Sequence, residues 1–178
     1  MIRALVLTVC LLLAPAAPAA TGRPVAPASA IPGPISRAGP ATVVPARVLV
    51  QRSLEDRVLE LTNERRLAHG CRALERSAKL RRAARRHTVA MARAGVMSHR
   101  LPGEPRFATR ITRSGYRGWR LVAENIARGF ASAESVLAAW LASPGHRRNL
   151  LDCRLRDLGV GVVLYDDQLW WTQNFGVR

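Results

Sequence analysis

The chain has 178 residues, enough for one domain with additional segments, and its hydrophobic content of 48% is sufficient for a packed core. It carries 28 basic residues against 12 acidic ones, a formal net charge of +16. Lys79 is the single lysine, so the excess is of arginine, as a GC-rich genome produces, and we do not take it as a sign of nucleic-acid binding. The charge still predicts attraction to anionic surfaces such as phospholipid head groups or acidic wall polymers.

The amino terminus has the pattern of a signal peptide. Arg3 gives a positive start, an apolar run over residues 4–13 follows, and Ala17-Pro18-Ala19 provides a small-residue cleavage site. The apolar run is shorter than the roughly 20 residues that span a bilayer, which makes a retained anchor the weaker alternative. We therefore predict a signal peptide at 1–19 and an exported, secreted chain.

The next stretch, residues 20–47, is rich in Pro, Ala and Gly and shows little apolar periodicity. Such a composition keeps the backbone extended and predicts a disordered linker. The folded domain is then expected over residues 48–178.

Cysteine usage predicts one disulfide. Cys10 lies inside the apolar amino-terminal run and leaves with the signal peptide, so Cys71 and Cys153 remain. In an exported chain, two cysteines without a Cys-x-x-Cys motif favour a disulfide over a metal or redox role. We expect this bridge to join the start of the second helix to the segment after residue 151.

Two long helices are predicted in the first half of the domain. Ser53 is the expected N-cap of the first helix, and Gly70 marks its end. The second helix is expected from about residue 77 to residue 94, ended by Gly95. His87 falls on its apolar face, which predicts a buried histidine with a backbone partner. The other side is basic and predicts a solvated face or a surface for anionic lipid or polymer; it comprises Arg76, Lys79, Arg82, Arg86 and Arg93.

Three polar residues stand out after the second helix. His99 lies where that helix gives way to a loop, and Glu124 lies between apolar residues. A buried carboxylate needs a partner, so Glu124 either accepts hydrogen bonds from backbone amides or meets His99 and His146. His146 follows Pro144-Gly145, which predicts a turn between an alanine-rich helix and a strand. Such turns commonly present functional side chains, although His146 could also only satisfy the turn.

The carboxyl-terminal part of the chain predicts a β-hairpin. Residues 158–165 and 168–175 have strand patterns, and Asp166-Asp167 is the expected turn between them. Glycines 159 and 161 within the first strand predict close packing against another element. Trp170, Trp171 and Phe175 are expected in the core.

Taken in order, short motifs along almost the whole domain resemble those of the CAP superfamily of cysteine-rich secretory, antigen 5 and pathogenesis-related proteins. The matching residues are Leu61-Thr62-Asn63-Glu64-Arg65-Arg66, His87, Met91, Ser98-His99, Gly115-Tyr116, Ala123-Glu124-Asn125-Ile126-Ala127, the run from Trp140 to Leu151, Leu158-Gly159-Val160-Gly161-Val162 and Trp171-Thr172-Gln173-Asn174-Phe175-Gly176. The resemblance implies an α+β fold, a three-layer α-β-α sandwich with a central antiparallel sheet.

The resemblance also implies a central cleft lined by two histidines and two acids. By motif, His99 and His146 match the histidines and Glu124 matches the first acid, with Ala123 in place of a family glycine. Ser143 stands where the second family acid is expected. Glu134 is the nearest acid in the same predicted helix, although it does not match the motif.

Two functions from different classes agree with this set of residues. The first is a secreted, monomeric binding module that recognises a lipid or an anionic cell-envelope component through the cleft and the basic surface, with contact to a membrane surface. The second is a secreted, peptidase-like hydrolase in which His99, Glu124 and His146 act as acid and base, with Zn²⁺ as the divalent cation that such ligands would hold. No Gly-x-Ser-x-Gly nucleophile motif is present. Specific nucleic-acid binding is not expected, because no aromatic stacking platform accompanies the charge.

Overall fold

The computed structural model describes residues 47–178; the predicted signal peptide at 1–19 and linker residues 20–46 lie outside the described residues. The helices are α1 Arg52–Ala68, α2 Ala78–Ala94, α3 Phe107–Arg113, α4 Ala133–Ala142 and α5 Pro144–Leu150. The strands are β1 Leu49–Val50, β2 Glu75–Arg76, β3 Leu121–Arg128, β4 Asp157–Tyr165 and β5 Gln168–Val177.

The strands form one sheet between two helical layers. Their order is β1-β4-β5-β3, antiparallel throughout, and the two-residue β2 adds a short parallel pair with β4. Helices α1, α4 and α5 share one apolar core with the sheet, whereas α2 and α3 pack on its other face. The predicted α-β-α sandwich is therefore confirmed, and β3 lies at an edge of the sheet.

The predicted hairpin is confirmed as β4 and β5. Asp166 and Asp167 both have positive φ, at 50° and 55°, as a two-residue turn of the hairpin type requires. Residues of β4 alternate between the two faces. A Cβ atom on Gly159 would lie 2.0 Å from the backbone nitrogen of Arg81, and one on Gly161 would lie 2.5 Å from that of Arg85. The two glycines thus allow α2 to lie directly on the sheet, as predicted.

The helix ends are partly as predicted. Ser77 caps α2 by accepting a hydrogen bond from the backbone of Leu80, and Gly95 ends that helix with a φ of 65°. The prediction for α1 was wrong at its start, because Gln51 is the N-cap and Ser53 lies inside the helix.

The prediction at Pro144 was also wrong. Proline's fixed φ suits the first helical position, so Pro144 begins α5 rather than a plain turn.

The predicted disulfide between Cys71 and Cys153 is present. Its position differs from the expectation, because Cys71 directly follows the end of α1 and not the start of α2. Arg66, which is fully buried, lies in the same region. Its guanidinium donates hydrogen bonds to four main-chain oxygens, those of Arg72, Leu150, Asp152 and Leu155. Arg66 and the disulfide together hold the end of α1 against the segment that follows α5.

We predict that Arg66→Met lowers the free energy of unfolding by about 3 kcal/mol, because four main-chain carbonyls lose their donor and two of these hydrogen bonds are buried. Arg65→Met is the matched control, since Arg65 is exposed on the same helix; it should cost less than about 0.5 kcal/mol. Urea unfolding of both variants measures the difference. Equal costs would show that Arg66 does not hold this segment.

Candidate functional site

The three predicted site residues lie along the outer edge of β3. Glu124 is on β3 itself, and its side chain is 1% exposed. His99 is in the loop after α2, with a side chain 54% exposed, and His146 is half-buried in the first turn of α5. The two histidines therefore come from opposite helical layers, and the edge strand lies between them.

Glu124 forms the centre of a buried polar cluster. Its Oε1 is 3.0 Å from Nδ1 of His99, and its Oε2 accepts a hydrogen bond from Nη2 of Arg110 at 2.7 Å. In the orientation that satisfies both polar atoms of its amide, Asn174 also donates to Oε2 over 3.1 Å. The carboxylate thus has side-chain partners instead of backbone amides. The sequence analysis did not identify Arg110 as a site residue, because the chain contains many arginines and nothing in the sequence distinguishes this one.

A second ion pair, with Glu104, holds Arg110 in place. Glu104 lies 3.3 Å from Nη1 of Arg110 and 2.8 Å from Nδ1 of His87. The other ring nitrogen of His87 is 2.9 Å from the carbonyl oxygen of Ser98, so the prediction of a buried histidine with a backbone partner is confirmed. Arg110 also donates to the carbonyl oxygen of His99 over 2.9 Å. These contacts hold the loop that carries His99.

His146 is held by the residue next to Glu124. Successive residues of a strand point to opposite faces, so Asn125 faces α5 while Glu124 faces α3. Asn125 donates to the carbonyl oxygen of His146 at 3.3 Å and to Oε1 of Gln173 at 3.1 Å. Asn149 of α5 donates to Oδ1 of Asn125 and to the carbonyl oxygen of Glu124. The Glu-Asn pair thus places the two histidines, one from each face of β3.

Burial lowers the pKa of His146, and the nearby His99 lowers it further by charge repulsion. The two imidazoles therefore lie close enough for their charges to interact. Of the two histidines, only His99 pairs directly with Glu124, whereas His146 is connected to β3 through the side chain of Asn125.

The three residues as arranged do not fit a three-ligand Zn²⁺ site. Within residues 47–178, no group of three His, Cys, Asp or Glu side chains lies close enough to hold a metal ion. Both oxygens of Glu124 are already hydrogen-bonded, and the Arg110 guanidinium occupies the place beside Oε2 that a cation would need. Zn²⁺ binding stays a prediction of the sequence, and we derive no chemical step from it.

Neither candidate for a second acid completes a tetrad. Ser143 is the C-cap of α4, beside His146, and offers only a hydroxyl. Glu134 is exposed in the first turn of α4, where its carboxylate is 2.9 Å from Nε of Arg57 on α1. The site therefore holds one carboxylate between two histidines.

A mostly apolar groove opens beside His146, with a volume of about 420 Å³. Its apolar lining consists of Met97, Ile126, Ala127, Phe130, Ala139 and Trp140, and Arg128, Ser143 and His146 add polar groups. Trp140 closes the inner wall, since its Nε1 donates to the carbonyl oxygen of Ile126 on the free edge of β3. The sequence did not reveal this groove, because residues from three separate segments line it.

Comparison with known proteins identifies the family. The profile of the Cysteine-rich secretory protein family, CAP, matches residues 59–175. The chain is 31% identical over 150 residues to the uncharacterized protein YkwD of Bacillus subtilis (strain 168), covering 83% of this chain and 55% of that protein. It is 32% identical over 126 residues to the uncharacterized membrane protein YlbC of the same strain, covering 71% of this chain and 35% of that protein. The chain thus spans about half or less of the length of these relatives, and it belongs to the CAP family.

Solved structures agree with this assignment. An extracellular protein containing a SCP domain from Bacillus anthracis str. Ames superposes with a TM-score of 0.66 at 31% identity, covering 72% of this chain and 41% of that one. An outer surface protein from Borrelia burgdorferi gives a TM-score of 0.69 at 21% identity, covering 75% of this chain and 98% of that one. This second likeness supports the fold alone. None of the helices in the described part of the chain is long and apolar enough to cross a membrane.

We predict opposite effects of Glu124→Gln in two backgrounds. In the natural chain it should lower the free energy of unfolding, because an ion pair is weakened. Arg110→Met alone should cost about 3 kcal/mol or more, because it leaves a buried carboxylate without its cation. Adding Glu124→Gln to Arg110→Met should then restore stability. Urea unfolding of the four proteins tests this; additive losses would contradict the proposed dependence of Glu124 on Arg110.

We also predict that His146 titrates below the ordinary histidine pKa of about 6.5, as followed by its ring proton signals in NMR. Because the folded-state pKa is lowered, the contribution of His146 to stability is complete above pH 6.5 and is lost as pH falls below 6.5 and through the folded-state pKa. His99→Gln should raise the midpoint of His146 in part, since burial remains. His69→Gln, at the exposed end of α1 and outside the lining of the apolar groove, should leave the midpoint unchanged. An unaltered midpoint in His99→Gln would show that the two rings do not interact.

Proposed function

We propose that this CAP domain acts outside the cell as a binding module for an apolar chain of an envelope lipid, held in the groove beside His146. The observation that carries the proposal is the composition of that groove. Six apolar side chains line a space of about 420 Å³, within the range of small-molecule sites. The extracellular setting is supported by the Bacillus anthracis protein of 31% identity, which is described as extracellular.

The surroundings of the groove suit a lipid. Met97 is 48% exposed at the groove, as is Val96 beside it in sequence, and exposed apolar residues next to a groove mark a binding surface. Arg128 lies in the lining, 5.5 Å from the ring centroid of Trp170, and hydrogen-bonds the carbonyl oxygen of Gly95. Its guanidinium can pair with an anionic head group while the acyl chain lies against the apolar lining.

A hydrolase is the second candidate, because the Glu124–His99 pair is an observation that favours it. A carboxylate that accepts from Nδ1 orients the ring and leaves Nε2 free as a general base. The nucleophile would be water, because Ser98 Oγ donates to the carbonyl oxygen of Arg100 and Ser143 lies beside His146 rather than His99. If the natural domain hydrolyses casein and both His99→Gln and His146→Gln abolish this activity while retaining the fold, the hydrolase is the better account and the binding module is rejected.

We predict that Ala139→Trp, which fills the groove, weakens binding of the fluorescent fatty acid cis-parinaric acid at least tenfold. Ala138→Trp is the matched control: the same change on the neighbouring residue of α4, which is exposed outside the groove. It should change the Kd less than twofold. Fluorescence titration gives both values. Equal binding by the two variants, or no binding by the natural domain, would contradict the proposal.

A further inference from the structure

A second concave site lies at the opposite end of β3 from the apolar groove. Its lining contains four exposed arginines and no acidic residue, Arg120, Arg154, Arg156 and Arg178, around a volume of about 540 Å³. We call it the arginine cleft. It opens at Leu121, the first residue of β3, whereas the apolar groove lies at Ile126 to Arg128. With about 3.3 Å per strand residue, the two sites are roughly 20 Å apart.

A neighbouring pocket of about 390 Å³ shares Arg154 with the cleft. That pocket adds Arg147 and Arg148 from α5. Two neighbouring concave sites that share a lining arginine give an extended ligand two places to bind along this path. A compact single ion would use only one of them.

The carboxylates near this path already accept hydrogen bonds from protein side chains. Asp152 accepts hydrogen bonds from Arg154, over 2.6 Å to its Nη2, and Asp157 accepts one from the hydroxyl of Tyr116 over 2.5 Å. Arg120 donates to the main-chain oxygen of Arg178, and Arg156 to that of Leu155. Each of these two guanidiniums has further N–H groups, so the cleft retains a surplus of donors and of positive charge.

We propose that the arginine cleft binds phosphate groups of a linear, phosphodiester-linked polymer. The guanidiniums come from three different segments, namely the start of β3, the chain that enters β4 and the end of β5. A tetrahedral phosphate accepts donors from several directions, and guanidinium groups bind it bidentately. A soluble polymer is favoured over a membrane surface, because none of the large exposed apolar residues in the described part of the chain lines the cleft. This inference is independent of the lipid proposal.

Isothermal titration with synthetic poly(glycerol phosphate) tests the proposal. At an ionic strength of about 0.15 M, attraction between charges more than about 8 Å apart is largely screened, so local contacts dominate. Arg120→Gln combined with Arg156→Gln should weaken binding at least tenfold. Arg52→Gln combined with Arg106→Gln is the matched control, since it removes the same charge from two exposed arginines that line neither concave site, and it should change the Kd less than twofold.

Thermal unfolding checks that each protein is folded. Arg120→Gln with Arg178→Gln gives the same test without altering the contacts of Arg156. Equal weakening by the cleft and control pairs would overturn the proposal, because the charge would then act diffusely. Two other results would also overturn it: equally tight binding of polyglutamate of matched charge, and binding confined to vesicles of phosphatidylglycerol and phosphatidylcholine.

Discussion

The ion pair between Arg110 and Glu124 is the interaction on which the site depends. A carboxylate that is 1% exposed is tolerated only when its charge is compensated. Here Arg110 donates a hydrogen bond to one oxygen of Glu124, and Nδ1 of His99 donates to the other. Arg110 in turn contacts Glu104, which pairs with His87. One chain of polar contacts therefore runs from α2 through α3 to the edge strand and sets the position of His99.

The edge position of β3 explains how two histidines from different layers come to share a cleft. Glu124 and Asn125 are neighbours on one strand and point to opposite faces, so one holds the His99 side and the other holds the His146 side. Asn149 and Trp140 bond the carbonyl oxygens of residues 124 and 126 on the free edge. These bonds cover an edge that would otherwise be open to pairing. The same contacts fix α5 and the wall of the apolar groove.

Much of this arrangement could be predicted from the sequence. The order of motifs predicted the sandwich and the set of two histidines with Glu124. Strand patterns predicted the hairpin, and cysteine usage predicted the disulfide. Arg110, the apolar groove and the arginine cleft could not be predicted, because each depends on long-range packing. The start of α5 was predicted wrongly for a different, local reason. A proline can follow the end of one helix or begin the next, and the sequence does not distinguish these two roles.

The tautomer of His99 tests the account most directly. A carboxylate only accepts hydrogen bonds, so Glu124 requires the neutral ring of His99 to carry its proton on Nδ1 and to leave Nε2 free toward the cleft. Nitrogen-15 chemical shifts of the neutral His99 ring identify the protonated nitrogen. The account predicts the Nδ1–H form in the natural chain. An Nε2–H form would contradict it, because Glu124 would then not be the partner that orients His99.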